Sequence, residues 1–204
     1  MSSSPCYLDP VVIPFIRGET VLDVGCGYGR WSTLIHTNFW EAGLQVPPAV
    51  DGLDAYGPNV SFCAQHGYYR RVWQQTLPSS LDGEWDTVLA CEVLEHLRQD
   101  DVEEVVALLE SVARQRVVFS TPNFPDFRDG SNTLVGFNEF EAHRSYAPRE
   151  LFRRRGYRLL GAGFGNAPNP LVRGLTRLGL ASSLQSTARL LPRLADAIVA
   201  VKDV

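Results

Sequence analysis

Asp23, Gly25, Gly27 and Gly29 fall at every second position of the run Val21 to Trp31, VLDVGCGYGRW, where a short apolar stretch gives way to a helix-spaced one. Glycine at these spacings lets the backbone turn sharply off a strand and approach a ligand closely, with helix N-terminal N–H groups aimed into the same space. That is the chemistry of a nucleotide-type cofactor pocket. The acid stands at the strand's carboxyl end, two residues before the first glycine. There it would repel a pyrophosphate and pair with an ammonium group. A cationic cofactor is therefore expected in place of a dinucleotide.

A second group able to do chemistry is Glu92, Glu95 and His96 in the string CEVLEHL, joined much later by His143. Two carboxylates and two imidazoles suit a divalent ion, oxygen ligands favouring Mg or Mn and imidazoles admitting Zn, Fe or Co. The same residues have a metal-free reading, in which Glu92 binds the cofactor, Glu95 and His96 cap or pair within the crevice, and His143 orders its loop. In either case His96 and His143 are the candidate catalytic groups, since an imidazole can take the proton of a hydroxyl acceptor. The residue types leave both readings open.

The run DVGCGYG resembles motif I of the class I S-adenosylmethionine (SAM) methyltransferases. The resemblance implies that Asp23 holds the methionine end of the cofactor and that Gly25 and Gly27 let it lie across the loop. Asp54, with Ala55 beside it at the end of the next apolar run, would take the ribose hydroxyls. Where such enzymes commonly show an acid for the adenine amino group, this chain has Trp73-Gln74-Gln75. Trp73 is assigned to stacking and Gln74 to the adenine edge, and Glu92 completes the cofactor set.

The E-x-x-E-H string with a later His is similar to two branches of that family. In the ubiquinone-pathway O-methyltransferases it accompanies small phenolic acceptors. In the small-RNA 3′-end 2′-O-methyltransferases it holds a metal on the terminal ribose hydroxyls, and the strings STPNF and EAHRSYAPREL resemble that branch. Against RNA, Tyr7 to Pro10 echoes the branch's Phe-x-Pro-Pro motif only loosely, and no ligase or RNA-binding extension accompanies it. The expected function is SAM-dependent O-methylation of a small-molecule hydroxyl, in a secondary-metabolite, quinone or glycan pathway. RNA 3′-end methylation and a non-catalytic SAM-binding partner subunit are the alternatives.

Positioning these groups requires strands that alternate with helices. Strands are expected over Thr20 to Asp23, Ala49 to Leu53, Tyr68 to Trp73, Trp85 to Ala90 and Arg116 to Thr121, with two more over Tyr157 to Phe164 and Ala197 to Val201. Helices are expected over Arg30 to Ala42, from Gly57 to His66, over Gln99 to Ala113 and from Pro148 to Arg155. Pro10 and Pro14 break up the lead-in, from which Tyr7 or Phe15 could fold over the cofactor, and Phe124 to Arg144 is expected to be irregular. Alternation implies an α/β, doubly wound Rossmann-like fold with right-handed crossovers. By resemblance it has seven strands in the order 3-2-1-4-5-7-6, mostly parallel with one antiparallel edge strand.

At 204 residues and 45% apolar content the chain can bury one core, so residues 1 to 204 are expected to form a single domain. No apolar run is long enough to span a bilayer, and the start MSSSPCYLDP lacks the marks of an export signal, so a cytoplasmic protein is expected. The four cysteines are scattered without a C-x-x-C and read as reduced thiols. Charge is uneven: residues 1 to 143 hold 8 Arg and 20 acids, net −12, and residues 144 to 204 hold 10 Arg, one Lys and 3 acids, net +8. Residues 166 to 195 are expected to form a helical insertion or cap, a substrate-side cover or dimer contact whose arginine-leucine pattern over 171 to 193 would also suit peripheral membrane contact.

Overall fold

The computed structural model describes residues 4–41, 46–164, 170–177 and 189–204. The apolar runs become strands β1 (Thr20–Val24), β2 (Ala49–Asp54), β3 (Tyr69–Gln74), β4 (Trp85–Cys91) and β5 (Ala113–Pro122). A short pair follows, β6 (Ser131–Thr133) and β7 (Gly136–Asn138), then β8 (Arg158–Ala162) and β9 (Ala197–Asp203). Seven of these form one sheet in the order β3-β2-β1-β4-β5-β9-β8, and β6-β7 stands apart as a hairpin. With the hairpin set aside, this is the order expected from the sequence. The first five strands pair in parallel; β9 runs antiparallel to both β5 and the outermost strand β8.

Successive residues of a strand face opposite sides, so a doubly covered sheet needs apolar side chains at nearly every position. In β4 every residue is buried. One face, with Val24, Val88, Val117 and Phe119, packs on helices α4 (Val102–Ser111) and α5 (Arg149–Arg154) through Val105, Val106, Leu109 and Phe152. The other face, with Val21, Val50, Leu89 and Val118, packs on Trp31 and Ile35 of helix α2 (Arg30–Glu41) and on the lead-in residues Leu8, Val11 and Val12. The lead-in is three short turns, including α1 (Asp9–Val12), as its prolines require. Phe15 belongs to this second core, and the Tyr7 ring packs over Gly163.

Several boundaries differ from expectation. The helix expected over Gln99 to Ala113 opens with a 3-10 turn, Gln99–Asp101, before α4, and it ends at Ser111 because β5 begins early, with Ala113 already paired to Trp85. The stretch expected to be irregular holds the β6-β7 hairpin, whose three-residue strands are too short to show alternation. Within residues 166–195, Pro170–Arg177 forms helix α6, with Val172 buried beside Phe164 and Ala195. Residues 178–188 lie outside the described ones, as do Ala42 and Gly43 at the expected end of α2.

One buried carboxylate fastens β2 to β3 and β4. Asp51, fully enclosed, accepts hydrogen bonds from Arg70 Nε at 2.9 Å and Nη2 at 2.7 Å, Arg71 Nε at 2.9 Å and Trp85 Nε1 at 2.8 Å. Burial alone would raise its pKa, but the bonds from Arg70, Trp85 and Arg71 outweigh it and hold the carboxyl below its ordinary value. Replacing Asp51→Asn should cost about 2 kcal/mol, the scale of a hydrogen bond to a charged group. Because the folded pKa is depressed, this stability is full above the unfolded value of about 4 and is lost as pH falls through the folded one. Urea midpoints measured from neutral pH downward should therefore converge for the two proteins at acid pH.

Candidate active site

The carboxyl ends of β1, β2, β3 and β4 open on one cleft of about 270 Å³. This is the end of a parallel sheet at which ligands bind, beside the point where strand order reverses. Gly25, Gly27 and Gly29 all have positive φ, 69°, 54° and 77°, so the turn needs the conformations glycine supplies. Val24, Gly25, Cys26 and Gly27 line the cleft.

Asp54 holds this turn in place. Its Oδ2 accepts the Gly27 N–H at 2.9 Å, and its Oδ1 accepts the Tyr56 N–H at 2.8 Å and the Asn59 amide at 3.2 Å. The side chain lines the cleft with Ala55 and Asn59. Burial raises its pKa despite the bonds from Tyr56, Gly27 and Asn59.

Asp23 sits differently. It is fully buried and is not among the cleft-lining residues; its Oδ2 accepts the Tyr69 hydroxyl at 2.6 Å and its Oδ1 has no partner. Burial pushes its pKa up to about 7, with the Tyr69 bond opposing and Asp54 adding to the rise. Tyr69 reaches Asp23 across Gly52, where an added Cβ would stand 2.8 Å from the Tyr69 ring. Sequence reasoning missed Tyr69, and the available signal was a glycine inside an apolar strand, which marks close approach of another group. Beside this contact, Cys26 and Cys63 place their sulfurs 3.8 Å apart.

At the third strand's end the residues that reach the cleft are Gln75, Thr76 and Leu77. Trp73 stacks on Trp85 and donates to Gln75 Oε1 at 2.7 Å, while Gln74 donates to the Ala55 carbonyl at 3.0 Å. Trp73 and Gln74 therefore stand behind the cleft wall and support Gln75 and Ala55.

The second constellation gathers after β4. Glu92 lines the cleft with φ +57°, among the described residues the one non-glycine in the left-handed region. Such strain persists where surrounding contacts enforce it. Here the Glu92 N–H donates to the Ser120 carbonyl and the Ser120 hydroxyl donates to Glu92 Oε1, both at 2.9 Å. Burial raises its pKa to about 7. Glu95 is buried, accepts the Thr121 hydroxyl at 3.3 Å and leaves Oε1 without a partner. Burial and the neighbouring Glu92 push its pKa well up. His96 donates Nδ1–H to the Ala142 carbonyl at 3.1 Å, and burial lowers its pKa to about 4, which keeps the ring neutral.

His143 comes to this group on the segment after the hairpin. Its ring meets that of His96 edge-on at 4.8 Å, and burial and then Arg128 lower its pKa. The segment is stapled down by the N–H groups of Arg144 and Ser145, which donate to the Glu95 carbonyl at 2.7 and 3.1 Å. Ligand atoms of Glu95, His96 and His143 lie within 4.8 Å of one another. The unpartnered, buried Glu95 Oε1 fits a cation bound among them. Glu92 is not in this group of three.

The hairpin lies over the cofactor loop. Tyr28, within the glycine turn, accepts the Leu134 N–H at 2.7 Å, and Tyr56 donates to the Phe137 carbonyl at 3.0 Å. Asn138 and Phe140 then form part of the cleft wall. Leu134 and Phe137 themselves are exposed.

A family model described as a methyltransferase domain matches residues 10–162, and the chain belongs to that family. Its sheet is that of the class I SAM-dependent methyltransferases. Similar solved structures include magnesium protoporphyrin IX methyltransferase from Synechocystis PCC 6803 with bound SAH, at 17% identity, TM-score 0.56, over 97% of this chain and 79% of that one. A SAM-dependent methyltransferase from Archaeoglobus fulgidus has 18% identity and TM-score 0.57, over 96% and 90%. A chain of the Pnkp1/Rnl/Hen1 RNA repair complex has 13% identity and TM-score 0.55, over 97% of this chain and 41% of that one. No curated protein matches the sequence. Among the described residues no helix is long and apolar enough to cross a membrane.

If Asp54 receives the ribose, Asp54→Ala loses both that contact and the anchor of Gly27. SAM affinity should fall about 30-fold, equivalent to roughly 2 kcal/mol. Calorimetric titration of SAM into the two proteins checks this, with unchanged affinity placing the cofactor elsewhere.

Proposed function

We propose that this methyltransferase transfers the SAM methyl group to a hydroxyl of a small molecule, such as a secondary metabolite, quinone or glycan precursor. The observation that carries the reading is the grouping of buried Glu95 and His143 with half-buried His96 beside the cleft that Gly25, Asp54 and Glu92 line. Methyl transfer needs the acceptor oxygen in line with the methyl–sulfur bond and its proton removed. Asp54 would orient the ribose, and the glycine turn would admit the methionine end of the cofactor. With Nδ1 held by Ala142, His96 keeps Nε2 as a lone pair for a proton or a metal.

Glu95, His96 and His143 would hold a divalent ion, Mg or Mn, which when bound lowers the acceptor's pKa and orients it. Without one, a pKa of about 4 makes His96 a weak base, and positioning carries more of the rate. Asn138 and Phe140 line the same cleft as Gly25, Gly27 and Asp54, so an acceptor held against them would lie beside the cofactor.

RNA 3′-end methylation is the second reading. It is favoured by the same Glu/His group, by exposed Arg98 and Arg144 at the cleft, and by the fold shared with a chain of an RNA repair complex. Transfer of labelled methyl from SAM into a size-fractionated cell extract separates the two. Label in small molecules, resistant to ribonuclease, is the expected result, and its loss with EDTA would assign the metal. Label confined to ribonuclease-sensitive material would move the acceptor to RNA.

A further inference from the structure

Arg128 and His143 face each other across an isolated antiparallel bridge, the His143 N–H donating to the Arg128 carbonyl at 2.9 Å and the Arg128 N–H to the His143 carbonyl at 3.4 Å. This pairing delivers the Arg128 guanidinium to the imidazole, where Nη2 lies 2.6 Å from His143 Nε2. A guanidinium has donors only, so Nε2 must supply the lone pair. The ring is then neutral with its single proton on Nδ1, which lies 3.4 Å from Asp126 Oδ2. One ring nitrogen is engaged and the other protonated. Whichever of them faces Glu95 and His96, His143 has no lone pair left for a metal while Arg128 stays.

The guanidinium also places a positive charge that acts on Glu92, Glu95 and His96, the task an ion would perform there. Its other nitrogen, Nη1, lies 3.8 Å from Asp126, and the side chain is 49% exposed. Arg128 can therefore swing toward solvent and Asp126 without disturbing the backbone bridge.

We propose that Arg128 is a built-in cation of the Glu95–His96–His143 group, which a divalent ion must displace in order to reach His143. This rests on the metal reading of the site given above. It makes divalent-ion binding and release of the Arg128 side chain one event, and sets the affinity of the site below what its ligands alone would give.

Binding of Mn²⁺ alone, followed by electron paramagnetic resonance, tests the proposal on the full chain as wild type, Arg128→Ala, His96→Ala and the double variant. Arg128→Ala should bind Mn²⁺ about tenfold more tightly than wild type, the scale on which neighbours of ligating histidines act. The double variant should lose the gain, which locates it at this group. Histidine nitrogen NMR of the metal-free wild type should show the His143 proton on Nδ1, with that preference lost in Arg128→Ala. Because the bridge is made by backbone atoms, both proteins should melt alike. Equal or weaker Mn²⁺ binding by Arg128→Ala, with wild-type binding still dependent on His96, would overturn the role of Arg128 and leave the metal reading standing. Mn²⁺ binding indifferent to His96 in every protein would remove the metal reading and the proposal together.

Discussion

The cofactor side of this molecule hangs on one carboxylate. Asp54, at the end of β2, collects the N–H of Gly27, the N–H of Tyr56 and the amide of Asn59, and so joins the glycine turn after β1 to the start of helix α3 (Gly57–His66). Three donors converging on a buried anion have no substitute of the same shape, since a neutral side chain would leave at least one of them unpaired. Two loops that would otherwise drift independently are thereby held at one spacing. The parallel register of β1 and β2, with Asp23 opposite Gly52, brings them close enough for this to work.

The second half of the site depends on a different economy of polar groups. Half-buried Glu92 and buried Glu95 follow the carboxyl end of β4, and each takes a hydroxyl from β5, Ser120 and Thr121 respectively. The sheet therefore supplies partial neutralisation from within, and the segment carrying Arg128 and His143 supplies the rest from above. Two carboxyls with raised pKa beside two neutral imidazoles are costly to maintain, which is why the backbone around them is so thoroughly fixed, from the left-handed Glu92 to the carbonyl of Glu95.

Strand order and the grouping of Glu95, His96 and His143 were legible because they follow from apolar runs, strand ends and residue types with few other uses. The glycine turn was legible for the same reason. What the sequence did not disclose was which side of a strand end faces the cleft. Gln74 was a natural candidate by chemistry, yet a single step along the chain separates it from Gln75, and a step of one residue reverses facing in an extended backbone. Tyr69 and Arg128 were hidden because each acts through a partner distant in sequence, Asp23 and His143, and neither belongs to a spaced motif. The short hairpin escaped notice because three residues per strand carry no periodicity.

The tyrosines that fasten that hairpin link the two halves of the cleft. Tyr28 and Tyr56 belong to the two loops tied by Asp54, while their partners, Leu134 and Phe137, belong to the flap whose next residues wall the cleft. Any shift of the loops on receiving one ligand is thus transmitted to the surface that meets the other. By thermodynamic reciprocity the acceptor must influence cofactor affinity as much as the cofactor influences the acceptor's. The two tyrosine hydroxyls are the bonds through which such an influence would pass, because they join the loops under the cofactor to the strand pair that leads into the acceptor wall.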